Sequence, residues 1–186
     1  MKTDTPRPIH LKDYRPPDFL IDNVDLTIAL HPTRTRVDAR LAIRRNPASK
    51  NCDAPLRLDG EHLELSRIAL AGDELRAEGY LVDDKGLTLK ATPQAPFTLE
   101  TTTYINPDAN TALQGIYRSR GVYCSQCEAE GFRRITYFLD RPDILSVYSV
   151  RLEADACECP VLLANGNPRE RGPLVIFELE ANAFLH

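Results

Sequence analysis

Apolar and polar residues alternate with a period of two along several short stretches of this chain. Val24, Leu26, Ile28 and Leu30 would share one face of an extended segment, with polar residues between them. The same pattern or a short apolar run occurs in residues 36–44, 63–70, 80–82, 87–89, 97–105, 146–152 and 161–163. Such alternation is typical of strands with one face in the core. Because long helical periods are missing, the sequence predicts an all-β fold of packed antiparallel sheets.

Turn-forming residues separate these stretches and indicate how they connect. Residues 31–35, 83–86 and 165–168 combine Pro, Gly, Asn and Asp, which favour turns. Four prolines among the first 17 residues favour an extended lead-in, and residues 140–143 predict one short helical turn at most. No linker divides the chain, so we expect a single domain.

Composition narrows the classes of function. The 186 residues carry a net charge of −4, which gives no basic surface for nucleic acid or anionic lipid. No apolar run approaches the roughly 20 residues of a membrane span, and the polar N-terminus does not resemble a secretory signal. Five cysteines are an odd number, which favours reduced thiols. The sequence therefore predicts a cytoplasmic protein that binds neither nucleic acid nor membrane.

The residues that could bind a metal are few. A zinc peptidase centre needs two histidines one helical turn apart with a glutamate beside them, H-E-x-x-H. The four histidines do not have that spacing: His10, His31, His62 and His186. A structural zinc bound by four thiolates stays open as an alternative, because two closely spaced pairs exist: Cys124 with Cys127, and Cys157 with Cys159.

A polar segment between residues 124 and 142 is the strongest candidate for a site. In an extended chain Gln126, Glu128 and Glu130 would share one face. A carboxylate with an amide beside it is suited to an ammonium group, through charge-assisted hydrogen bonds. From these residues alone, a solvated strand edge is the alternative.

Residues 126–138 also closely resemble the Q-x-E-A segment of the bacterial-type aminopeptidase N family of zinc metallo-aminopeptidases. Residues 11–21, 56–63, 106–119 and 165–168 resemble further blocks of that family, in the same order. The resemblance extends over residues 11–171, which we expect to form the family's N-terminal domain. Residues 1–10 would be an extended segment before it, and residues 172–186 a divergent tail.

The resemblance implies a fold and two substrate-binding residues. The family's N-terminal domain is a saddle of antiparallel β-sheets that packs on a thermolysin-like catalytic domain. By position, Glu128 would bind the free α-amino group of a peptide and Gln126 would line the pocket for the first side chain. The Cys124–Cys127 spacing is also common in this subgroup, without any zinc.

Other family features are missing from this sequence. The G-A-M-E-N segment, the H-E-x-x-H helix and the transition-state tyrosine do not occur. The family's zinc would be bound by a catalytic domain outside this chain. We therefore expect this chain to be a truncated form that is inactive alone. An alternative is an interaction module whose uncovered face binds another polypeptide or a second copy.

Overall fold

The computed structural model describes residues 11–168 and 177–182. It contains thirteen strands in these ranges: β1 Phe19–Ala29, β2 Thr35–Arg45, β3 Arg57–Asp59, β4 Glu64–Leu70, β5 Asp73–Glu74, β6 Tyr80–Asp83, β7 Gly86–Leu89, β8 Phe97–Ile105, β9 Gly115–Ser119, β10 Val122–Gln126, β11 Val147–Glu153, β12 Asn167–Pro168 and β13 Phe177–Asn182. Three single turns of 3₁₀ helix, Leu11–Asp13, Ala77–Gly79 and Phe132–Arg134, complete the described elements. The predicted all-β fold is confirmed.

The strands form one large sheet and two small ones. Eight strands lie in the order β12-β13-β11-β1-β2-β8-β4-β5, three in the order β3-β7-β6, and β9 pairs with β10 as a hairpin. The sheets are antiparallel as expected, except at one place where β1 and β11 run parallel. A parallel pair needs a long connection, and here most of the domain lies between the two strands.

Strand alternation places the core as the sequence predicts. In β8 every second residue is buried, from Phe97 to Ile105, and β2 shows the same pattern over most of its length. The opposite face carries ion pairs across neighbouring strands, such as Arg44 with Asp22 at 2.8 Å. The predicted turn at 31–35 is confirmed, and residues 140–143 contain a turn but no helix.

Three expectations need correction or fall wholly or partly outside the described residues. Residues 161–163 form no strand, because they pair with no neighbouring strand in the described residues, although Leu162 is buried between exposed Val161 and Leu163. The predicted extended segment 1–10 is not described. Of the predicted tail 172–186, residues 177–182 are described, and they form β13 beside β11. No helix in the described ranges has the length and apolar character to cross a bilayer.

The three-stranded sheet contacts the polar segment of residues 124–142. Asp59 at the end of β3 exchanges backbone hydrogen bonds with Phe138, at 2.7 and 3.0 Å. Gly86 begins β7 where its Cα lies against the carbonyl oxygen of Leu58, so a Cβ could not fit there. The three-stranded sheet is thereby joined to the segment that follows β10.

Candidate functional site

Gln126 and Glu128 lie at the point where the chain leaves the β9–β10 hairpin. Gln126 is the last residue of β10 and pairs with Gly115 of β9. Residues 128–131 then form a turn, closed by a hydrogen bond of 2.8 Å from the Gly131 amide to the Cys127 carbonyl oxygen. The expectation that residues 126, 128 and 130 share one face of an extended segment is therefore wrong, because the chain turns after Cys127.

The side chains of both predicted site residues face solvent. Gln126 and Glu128 are exposed, as are Ala129 and Glu130. Among residues 11–166, no hydrogen bond or ion pair involves the Gln126 or Glu128 side chain. The carboxylate at position 128 is thus available to an incoming cation, and its neighbours in the turn do not shield it.

Aromatic packing holds the segment that follows the turn. Phe132 is buried and meets Phe138 edge-to-face at 4.8 Å and Tyr148 at 5.9 Å between ring centroids. Tyr148 belongs to β11, so this cluster joins the 3₁₀ turn Phe132–Arg134 to the large sheet. Edge-to-face pairs add about 0.5–1.5 kcal/mol beyond the area that they bury.

Two ion pairs attach the same segment to the rest of the fold. Arg133 Nε donates to Asp140 Oδ2 at 2.8 Å, and both side chains are largely buried. Arg134 Nη2 donates to Glu61 Oε2 at 2.9 Å. Sequence reasoning did not assign a role to these residues; the only signal was the density of arginines next to the Q-x-E-A segment.

An apolar cavity of about 580 Å³ lies next to the β9–β10 hairpin. It is lined by apolar side chains of β1 and β11, by β10 and by residues 158–165. Cys127 and Cys159 contribute to its wall, and burial raises the pKa of the Cys127 thiol to about 11. Val122, Val161 and Leu163 line it as well and are strongly exposed. The sequence alone did not predict this cavity.

The described residues do not provide a metal site. Nowhere in residues 11–168 do three His, Cys, Asp or Glu side chains come together in a way that could hold a metal ion. The alternative of a zinc bound by Cys124, Cys127, Cys157 and Cys159 is therefore contradicted, and all four are free thiols. Zinc of the kind that the family binds does not fit the residues present here.

His31 illustrates why an isolated histidine is a poor guide to a metal. Its Nδ1 accepts hydrogen bonds from the backbone amides of Thr33 and Arg34, at 3.3 and 3.2 Å. The side chain therefore caps the turn between β1 and β2, a structural role.

Comparison with known proteins identifies the domain. Residues 21–175 match the Peptidase M1 N-terminal domain. Aminopeptidase N of Caulobacter vibrioides is 53% identical over 174 residues, which are 94% of this chain and 20% of that protein. Aminopeptidase N of Escherichia coli is 42% identical over 172 residues, 92% of this chain and 19% of the relative. The chain thus spans about a fifth of the length of these relatives.

Solved structures agree with the sequence matches. Legionella pneumophila aminopeptidase A, crystallised in complex with aspartic acid, superimposes with a TM-score of 0.80 at 34% identity, over 91% of this chain and 20% of that one. Native yeast LTA4 hydrolase has a TM-score of 0.69 at 19% identity, over 88% of this chain and 26% of its own, which shows a shared fold. The match over residues 21–175 and the identity to aminopeptidase N lead to one conclusion: the chain belongs to the Peptidase M1 N-terminal domain family.

Proposed function

We propose that this chain supplies the amine-binding part of an aminopeptidase N-type protein. Glu128 accepts hydrogen bonds from the α-ammonium group of a peptide, and Gln126 lines the pocket for the first side chain. The observation that supports this most directly is the exposed Glu128 carboxylate in the turn after β10, in a chain that belongs to this family.

The free energy with which Glu128 binds an ammonium group depends on how well water is excluded from the carboxylate. An ion pair exposed to solvent contributes about 0.2–1 kcal/mol, so the chain alone holds an ammonium group weakly. A hydrogen bond to a charged group in a covered site contributes about 1.5–3 kcal/mol. We therefore propose that a zinc peptidase portion, as in the family's longer members, covers Glu128. An internal peptide segment has no ammonium group, so such a site favours cleavage next to the N-terminus.

We propose that hydrolysis needs that second portion. The chain contains no H-E-x-x-H sequence, and its described residues group no three metal ligands. A Lewis acid and a general base would have to come from the covering polypeptide. The residues of this chain would contribute the orientation of the substrate amine.

Complementation tests the proposal. The full chain is mixed with Caulobacter vibrioides aminopeptidase N from which the matching N-terminal fifth has been removed, and hydrolysis of an aminoacyl p-nitroanilide is followed with added zinc. We expect activity only with both parts, and a value of kcat/KM about 10- to 150-fold lower with Glu128→Gln, because a charged hydrogen bond is lost.

Glu78→Gln is the matched control. It makes the same change at an exposed carboxylate of the 3₁₀ turn Ala77–Gly79, away from the site, and should change kcat/KM less than 3-fold. Metal-dependent turnover by the chain alone would contradict the proposed division of roles. Equal kcat/KM for the wild type and Glu128→Gln would contradict the role of the carboxylate.

A second candidate is an interaction module that uses the apolar cavity. The exposed rim residues Val161 and Leu163 favour it, because contiguous exposed apolar surface often marks a contact with another polypeptide. Self-association at this face would be seen by size-exclusion chromatography with light scattering. A dimer that dissociates in Val161→Lys with Leu163→Lys would support it, and a monomer at all concentrations would argue against it.

A further inference from the structure

We infer that Arg133 and Asp140 are positioning residues for Glu128. Their buried ion pair fixes the turn of residues 127–131 on the core and so determines where the carboxylate lies. The inference rests on the proposed function for the identity of the ligand, whereas the effect on the turn can be measured in the chain alone.

Three hydrogen bonds link Arg133 and Asp140. Asp140 Oδ2 accepts from Arg133 Nε at 2.8 Å and from the Arg133 backbone amide at 3.2 Å. Arg133 Nη2 donates to the Asp140 carbonyl oxygen at 3.1 Å. The Asp140 amide donates in turn to Asp59 Oδ2 at 3.2 Å, which ties the pair to β3. Backbone and side chain of both residues are thus linked.

Burial makes this pair different from those on the sheet surface. The side chain of Asp140 is 4% exposed and that of Arg133 is 15% exposed, whereas Arg44 and Asp22 are 38% and 50% exposed. Pairs on the surface contribute little because water screens them. Removing one partner of a buried pair leaves an uncompensated charge, which is strongly unfavourable. The geometry of Arg133 is therefore well defined.

Arg133 is connected to the Glu128 turn by its side chain and through its neighbour Arg134. Arg133 Nη1 lies 3.5 Å from Glu130 Oε2 in the turn. The Arg134 amide donates to the Gly131 carbonyl oxygen at 3.1 Å, and the Gly131 amide donates to Cys127 at 2.8 Å. Residues 128–130 are exposed and bury little surface of their own. The position of Glu128 therefore depends on the two ends of its turn, and Arg133 holds one of them.

Arg133→Lys is the informative substitution. Lysine keeps the positive charge but has a single nitrogen, so it cannot bond Asp140 Oδ2 and the Asp140 carbonyl oxygen in the same fork. Asp140→Asn is the complementary change and carries a greater risk of unfolding. Arg141→Lys is the control: Arg141 makes a similar fork to Asp143, at 2.9 and 2.7 Å, at a distance in sequence from the turn.

Amide hydrogen exchange of the full chain tests the positioning. With Arg133→Lys we expect the Gly131 amide to exchange at least 10-fold faster, while amides shared by β1 and β2 keep their wild-type rates. Arg141→Lys should leave Gly131 unchanged. Unchanged exchange at Gly131 in Arg133→Lys would overturn the inference, and so would equal acceleration throughout the sheet.

The complementation assay provides the link to Glu128. If Arg133 acts through Glu128, Arg133→Lys lowers kcat/KM about 10-fold in the wild type but causes little further loss when Glu128→Gln is already present. Losses that multiply in the double variant would overturn the inference. If Glu128→Gln alone has no effect, the proposed function fails, and the exchange at Gly131 still decides whether the ion pair fixes the turn.

Discussion

Gly131→Ala is the sharpest test of how the candidate site is built. Gly131 has φ −93° and ψ −16°, which any residue adopts, so the substitution causes no backbone strain by itself. A methyl group would, however, meet the carbonyl oxygen of Gln126 and lie 2.9 Å from Cys127 Cα. These are backbone atoms at the end of β10, and they cannot rotate away. The turn itself would have to move.

The size of the effect follows from this collision. Forcing an extra methyl group into a packed site costs about 1–3 kcal/mol. For a domain of this length, 1 kcal/mol corresponds to about 2–4 °C in Tm. We therefore expect Tm of Gly131→Ala to fall by about 2–12 °C, measured on the full chain by circular dichroism.

A second glycine is the control for this prediction. Gly79 lies in the 3₁₀ turn Ala77–Gly79, and a methyl group there would meet nothing closer than Leu75 Cδ2 at 3.6 Å, an ordinary contact. Gly79→Ala should melt within about 1 °C of the wild type. If Gly131→Ala did the same, the close approach of the turn to β10 would be refuted, and with it the account of how Glu128 is presented.

Three further predictions concern burial and charge. Burial raises the pKa of the Cys127 thiol to about 11, so roughly one Cys127 thiol in a thousand is ionised at pH 8. Cys127 should therefore react with Ellman's reagent more than 100-fold more slowly than the exposed Cys52. Equal rates for the two thiols would contradict this. The hydrogen bond from Arg57 lowers the pKa of Asp83 to about 2, below its unfolded value near 3.9, so its stabilisation is present above pH 4 and is lost as the pH falls towards 2. Asp83→Asn should therefore flatten the decline of the urea midpoint between pH 4 and 2, and parallel declines would refute the assignment. Leu99→Ala removes a fully buried side chain of β8 and should lower the free energy of unfolding by about 2–5 kcal/mol in urea denaturation, whereas a loss below 1 kcal/mol would be inconsistent with that burial.

The strands that the sequence predicted correctly are those with one face in the core. Residues 97–105 became β8 with a strictly alternating burial pattern, and residues 36–44 lie within β2. Among the short strands, β6 and β7 were predicted as residues 80–82 and 87–89. β3 and β10 were missed, because their residues show no clear alternation or apolar run. Residues 161–163 were misassigned because an apolar run is no evidence of burial by itself.

The candidate site also has features that the sequence predicted and features that only the structure shows. Gln126 and Glu128 were selected from their spacing and from the resemblance of the surrounding segment, and their roles stay predictions. The extended geometry expected for them was wrong, because the chain turns after Cys127 and brings Gly131 against the end of β10. The pairing of Arg133 with Asp140, and of Asp140 with Asp59, joins residues that no local pattern connects.

Alternation and turn residues, which are local, were enough to predict the all-β class and the positions of the main strands, and the resemblance over residues 11–171 was enough to predict the family. The parallel pairing of β1 with β11, the turn that exposes Glu128 and the buried partner of Arg133 were decided only by the tertiary structure. The physical reason is the range of the interactions. A strand's alternation reflects its own contact with the core, whereas pairing direction and buried ion pairs depend on which distant segments the folded chain brings together.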